Sequence, residues 1–255
     1  MPPRAKKAAA KPSTGATAAA TPTTSVAERV RAVLAKLERQ GSRRNREGMA
    51  RYGIVAEKVF GVSVGTLRSL GKQLGRDHEL ALALWESGWY EARMLTAFVD
   101  EPDRVTPAQM DRWCRDFDNW AICDTLCFQL FDRTPHAFAK VRQWAKRKGE
   151  FEKRAAFALL ASLAGHDKDA SEEAFLRCLP LVEGAATDER NFVKKGVSWA
   201  LRGIGHRTPA LHAAAVELAQ RLAASTEPAA RWVGKDTLRD LQRPLVLRKL
   251  AARRS

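Results

Sequence analysis

The sequence has little with which to build a metal centre, a disulfide framework or a membrane span. Its 255 residues include four cysteines, at 114, 123, 127 and 178, and no two of them form a CxxC pair. Cys123 and Cys127 are one helical turn apart, but two thiols without a Cys or His partner motif make a poor zinc site. All four read as reduced packing residues of a cytoplasmic protein. The five histidines (78, 136, 166, 206 and 212) show no HxxxH or HxH spacing. No stretch approaches the ~18 consecutive apolar residues of a spanning helix, and the N-terminus has no apolar secretory core. No Walker loop, GxGxxG or GxSxG motif occurs, which excludes NTPase, dinucleotide and hydrolase-elbow readings. No period-2 alternation marks a β-strand. Neither a metal nor a cofactor is expected.

What the chain does have is positive charge. Lys and Arg number 44 against 29 Asp and Glu, for a formal net charge of +15. Such an excess suggests a polyanionic partner, with nucleic acid the commonest, so a nucleoid-associated protein is expected. Residues 1–24 read as a separate basic Ala/Pro/Thr/Lys-rich tail, with no aromatic and no acid. Such a segment buries too little apolar surface to offset chain entropy and is expected to be disordered, although a transit peptide has similar composition. Its four charges, at Arg4, Lys6, Lys7 and Lys11, account for a minor part of the excess; the rest of the chain keeps +11.

From residue 25 to 255 the pattern is helical nearly throughout, and we expect one domain, a monomer. Ser25 and Glu28 form a capping box, followed by Val26, Val30, Val33, Leu34 and Leu37 at helical spacing. Further helix starts fall at Ser63, Asp77, Thr106-Pro107, Asp118 or Asn119, Thr208-Pro209 and Thr226. The predicted pairs are 25–41 with 44–58, 63–75 with 78–87, 89–99 with 106–116 and 118–131 with 135–147. Three more follow, 151–165 with 170–182, 189–203 with 209–224, and 227–240 with 243–252. Pairs spaced in this way predict an all-α fold, an α-solenoid of HEAT-like repeats with a concave basic face able to hold a duplex.

Three segments could carry chemistry. In Asp118-Asn-Trp-Ala-Ile-Cys-Asp-Thr-Leu126, Trp120 and Asp124 are four apart and share a helix face, with Ile122, Leu126, Phe128 and Leu130 on the buried side. A carboxylate gains nothing from a dry aromatic neighbour, so it needs a reason to be there; the plain one is that Asp124 caps or pairs nearby. In Asn191 to Arg202, the residues Lys195, Trp199 and Arg202 make a basic and aromatic stripe suited to a phosphate–sugar backbone, and Lys194 adds a further cation. In Phe151 to Phe157, Arg154 lies in the first turns of a helix, whose N-terminus attracts anions, unless it is simply an exposed surface arginine. Leu201-Arg-Gly-Ile-Gly-His-Arg-Thr208 has the glycine spacing of a helix-hairpin-helix element, but Arg202 and Pro209 stand at its usual Pro and small-residue places. Gly203 and Gly205 read equally well as helix-ending glycines.

With Trp120-x-x-x-Asp124, Lys153-Arg154-Ala155-Ala156 and Phe192-Val-x-Lys-x-x-x-Trp199-x-Leu-Arg202 in this order, the chain resembles the AlkD-like DNA alkylation repair proteins over roughly residues 45–240. Phe60-Gly-Val-Ser-Val-Gly-Thr-Leu-Arg68 resembles an early segment of that family, with Gly65 where Pro is usual. The resemblance implies a HEAT-like solenoid that removes N3- and N7-alkylated purines from duplex DNA without metal or cofactor. It implies Asp124 as the carboxylate facing the breaking glycosidic bond, Trp120 and Trp199 as its aromatic walls, and Arg154 as a phosphate contact. Lys195, Arg202 and Lys194 are expected as further DNA contacts. The alternative is a HEAT-type scaffold that grips DNA or a protein without catalysis.

Overall fold

A computed structural model describes residues 24–252 of the chain. The predicted tail (residues 1–23 of it) and the last three residues, Arg253 and Arg254 among them, lie outside the described residues. Among those described there is no strand, and the fold is all-helical. The helices are α1 (Val26–Arg39), α2 (Arg43–Met49), α3 (Val64–Leu74), α4 (His78–Glu86), α5 (Tyr90–Val99), α6 (Pro107–Arg115), α7 (Trp120–Gln129) and α8 (Ala137–Trp144). They continue as α9 (Glu150–His166), α10 (Glu172–Leu176), α11 (Leu179–Ala185), α12 (Asn191–Gly205), α13 (Pro209–Ala223), α14 (Pro228–Leu241) and α15 (Pro244–Ala251).

Local chemistry sets most of these boundaries. Ser25 and Glu28 make the capping box at α1, satisfying two donors reciprocally. Ser63, Asp77, Thr106, Asn119, Ser171 and Thr208 each accept an N–H from three residues on. Asn119, not Asp118, caps α7, and α14 begins at Pro228 after Glu227, not at Thr226. The expected helix 44–58 is shorter. It ends at Met49 and passes through a 3-10 turn, Ala50–Tyr52, to Gly53, whose φ of 68° is left-handed. The chain then runs without helix to Ser63. The expected helix 170–182 is two helices, α10 and α11. Pro180 has no N–H to give the carbonyl of Leu176, and its ring crowds that carbonyl, so the helix stops and restarts.

Helices α3, α5, α7, α9, α12 and α14 pack each against the next as one continuous layer. From α3 onward these are the first members of the predicted pairs. The helices between them (α4, α6, α8, α10–α11 and α13) make the second layer, which is the two-layered arrangement of a helical-repeat protein. Three tryptophans fill the space between layers. Trp85 and Trp113 stack with ring centroids 4.4 Å apart, and Trp144 packs near Phe131. The indoles of Trp85 and Trp144 donate to Asp116 and Asp111.

Helix α9 is the middle of the structure, buried continuously from Arg154 to Ala164. Helix α12 reaches it closely because glycines face it. A Cβ at Gly203 would stand 3.3 Å from that of Ala164, and one at Gly196 would stand 3.6 Å from Cγ of Arg154. Gly203 lies within α12, and Gly205 is its last residue, facing Leu241 and Ala215. Thr208 then caps α13, so this stretch is an ordinary joint between helices, and the helix-hairpin-helix reading falls away.

The segment before α3 is held by one carboxylate. Glu91, fully buried at the start of α5, accepts from the backbone N–H of Phe60 (3.0 Å), Gly61 (2.6 Å) and Val62 (3.1 Å). Phe60 stacks on Trp89 at 3.9 Å. Glu91→Ala should therefore strand three buried donors. At about 1–3 kcal/mol for each unsatisfied group, it should cost at least about 3 kcal/mol of stability, measured by urea unfolding. A loss below about 1 kcal/mol would mean that packing alone holds this segment.

Candidate functional site

Three side chains of α7 line up along one face at i, i+4 and i+8, and they are Trp120, Asp124 and Phe128. Asn119 starts the helix with its own side chain, which places Trp120 in the first turn. The opposite face is apolar and buried, through Ile122, Cys123, Leu126 and Cys127. The Cys127 thiol is pushed well up by burial, so it is inert packing.

Asp124 meets Arg154 of α9 in a two-pronged ion pair. Nε donates to Oδ1 at 2.9 Å and Nη2 donates to Oδ2 at 2.7 Å. A third donor, Nη1, reaches the carbonyl of Phe192 on α12 at 2.7 Å. The Asp124 side chain is 15% exposed and that of Arg154 is 8% exposed. Burial raises the Asp124 carboxyl above its ordinary range, and the guanidinium opposes that rise; the carboxylate in turn holds the guanidinium protonated. Among the alternatives read from sequence, Asp124 pairs and Arg154 is not an exposed surface residue.

Aromatic groups surround the pair. Phe192 lies with its ring 5.4 Å from that of Phe151 and 5.9 Å from the Arg154 guanidinium. Trp199 of α12 stacks on Phe128 at 4.7 Å and 9°, and Phe128 meets His166 edge-on at 5.5 Å. Trp120 donates its indole N–H to the carbonyl of Tyr52 at 2.8 Å. The next residue, Gly53, rests on Phe192, since a Cβ there would stand 3.1 Å from that ring. The turn at 50–53 therefore touches both Trp120 and Phe192. Beside Trp199 opens a cleft of about 610 Å³, floored by Ala161, Ala164 and Gly203 and edged by Lys168.

The structure thus brings Trp120, Asp124 and Arg154 together and joins Trp199 to them through Phe128. It does not gather all the expected cations. Lys195 is exposed on α12. Lys194 lies 5.4 Å over the Trp232 ring of α14, and Arg202 leans towards Asp236, 3.9 Å away. Lys153 is tied to Asp188 at 3.0 Å. Sequence reasoning missed Phe128 as a wall, placing it on the buried side. Its position, one turn beyond Asp124, was the available signal. Nothing local could have pointed to Tyr52 and Gly53, which reach Trp120 and Phe192 across 68 and about 140 residues of sequence. Among the described residues, no group of three His, Cys, Asp or Glu side chains could hold a metal ion. No helix among them is long and apolar enough to cross a membrane.

Two stacked layers of paired helices around a buried carboxylate–guanidinium pair define a HEAT-like helical-repeat protein. One solved structure aligns with a TM-score of 0.69 at 21% identity, covering 82% of this chain and 94% of its own. It is described as one of a new family of proteins related to the HEAT-like repeat DNA glycosylases with affinity for branched DNA structures. A protein from Streptococcus mutans aligns at a TM-score of 0.49 and 18% identity, over 83% of this chain and 95% of that one. No curated protein sequence matches. The pattern of the family described as DNA alkylation repair enzyme matches residues 33–237. The chain belongs to that DNA alkylation repair enzyme family.

The buried pair makes a stability prediction. Arg154→Leu should leave a buried carboxylate without a counter-charge and cost about 3–5 kcal/mol, measured by urea unfolding at neutral pH. A neutral result would show that water already solvates Asp124.

Proposed function

We propose that the protein is a DNA glycosylase that hydrolyses the N-glycosidic bond of cationic N3- or N7-alkylated purines in duplex DNA and leaves an abasic site. The observation that carries this reading is the placement of Asp124. It is a carboxylate held at both oxygens by one arginine, flanked along its own helix by Trp120 and by Phe128 with its partner Trp199. Alkylation at N3 or N7 makes the purine a good leaving group, so the enzyme's task is to stabilise the cationic sugar as the bond breaks. A preorganised carboxylate in a poorly solvated site does this, and it can also orient the attacking water. The aromatic faces of Trp120 and Trp199 favour the developing positive charge. Arg154 fixes the carboxylate, and its two remaining N–H donors are what it could offer a phosphate. Lys195, Lys194 and Arg202 would supply further attraction to the DNA backbone. No lysine is assigned a Schiff-base role, so strand cleavage is not expected. The protein is expected to act as a monomer.

A second reading is favoured by one observation, that both carboxylate oxygens of Asp124 are already occupied. A chain using this pair only to lock α7 to α9 would bind DNA without cutting the base. The likeness to a protein with affinity for branched DNA suits that reading too.

The test is release of 7-methylguanine and 3-methyladenine from methylated duplex DNA, with Kd for the same DNA measured alongside. Wild type should release both. Asp124→Asn should lose about 10²–10³-fold in rate, as removal of a preorganised electrostatic group does, and retain DNA binding. Trp199→Ala, at a half-buried position, should lose activity without unfolding. No release by wild type that binds the duplex would favour the second reading. Activity also needs ionised Asp124, which is lost as pH falls. Because burial raises this carboxyl, the acid limb of the rate profile should lie above the ~3.9 of an ordinary aspartate. A profile flat down to that value would remove Asp124 from the reaction.

A further inference from the structure

We infer that the hollow between the C-terminal ends of α3, α5 and α7 is a second phosphate-binding site, which takes a backbone phosphate of the DNA held at Asp124. This rests on the DNA-binding part of the reading above and not on base release. The hollow has a volume of about 270 Å³. Four cations border it. Arg68 and Lys72 come from α3, Arg76 from the loop after α3, and Arg133 from the turn after α7.

No carboxylate among the described residues forms an ion pair with any member of this cluster. Some cations elsewhere meet carboxylates, as Arg147 meets Asp111 and Glu152, and Arg190 meets Asp188. Among the described residues, none of these four has a carboxylate oxygen within the 4.0 Å of an ion pair. The nearest acids are already engaged, Asp100 with His78 and Gln109, and Glu101 with Arg104. Arg76 gives one donor to the carbonyl of Asp100. Burial first, and the charge of Arg133 second, weaken its hold on its proton, while the charges of Asp100 and Glu101 act the other way. An anion in the hollow would ease the repulsion between Arg76 and Arg133.

The shape suits a phosphodiester. Gly75 leaves the wall without a side chain, and its Cβ site has no neighbour within 4 Å, whereas Gly71 packs closely on Phe98. Phe98 offers an apolar face for a sugar, with the Arg68 guanidinium 5.9 Å from its ring, and Gln129 offers a neutral donor. The position suits it as well. Gln129 lies five residues beyond Asp124 on the same helix, or roughly 7.5 Å along its axis at about 1.5 Å per residue. That is on the order of two base-pair rises of about 3.4 Å, the reach of a strand passing Asp124.

The experiment measures binding of the full chain to an unmodified duplex over a series of salt concentrations. The variant is Arg68→Gln/Arg133→Gln; both positions are exposed, so it should fold and melt as wild type does. The control is Arg177→Gln/Arg221→Gln, two exposed arginines already paired with Glu173 and with Glu183 and Glu217. With about 0.9 of log–log salt slope for each phosphate contact, the test variant should lose about 1–2 of slope and bind about tenfold more weakly. The control should change neither. An unchanged slope, or an equal change in the control, would overturn the site. Release of methylated purines at saturating DNA should survive the test variant. Wild type that binds duplex but releases no base would sink the glycosylase reading and leave the hollow's test standing. Wild type that binds no duplex would sink both.

Discussion

A carboxylate is useful against a forming cation only if it is kept from bulk water and still ionised, and those demands conflict. Burial alone protonates it, and full exposure surrounds it with competing water. The contact between Asp124 and Arg154 resolves this, with two hydrogen bonds from one planar guanidinium and a third from the same group to Phe192. The pair spans three neighbouring helices of one layer, α7, α9 and α12. Each of those helices is placed by it and places it.

Much of the architecture exists to support that contact. Helix α9 is buried along most of its length, which fixes Arg154. Gly196 lets α12 come close enough for the Phe192 carbonyl to accept from the guanidinium. Trp199, a turn further along α12, is thereby brought onto Phe128 of α7. Glu91 holds residues 60–62, and the same segment carries the turn whose Tyr52 carbonyl takes the Trp120 indole.

The helices were legible in the sequence because their ends are written locally. A Ser, Thr, Asp or Asn with a free acceptor, or a Pro in the first turn, marks a start whatever lies elsewhere in the chain. The site was legible to the extent that one helix carries it, since Trp120 and Asp124 four apart can only share a face. What crossed between helices was not. That Arg154 would turn inwards to Asp124 depends on the depth of α9, which no local pattern records. The stretch 50–58 was read as helix because the true ending comes from a left-handed Gly53 and the extended path beyond it from the distant Glu91. Phe128 was assigned to the core, although it forms part of the wall, because periodicity ranks an apolar residue by hydropathy and not by what stands opposite.

The central claim is that this carboxylate acts on charge, so that the substrate's own cation supplies much of the rate. The most direct measurement compares release of 7-methylguanine and of uracil by the wild-type protein from otherwise identical duplexes. The account predicts release of the cationic base and none of the neutral one above background. Comparable excision of uracil would contradict it, because a lone carboxylate beside two tryptophans has no acid with which to activate a neutral leaving group.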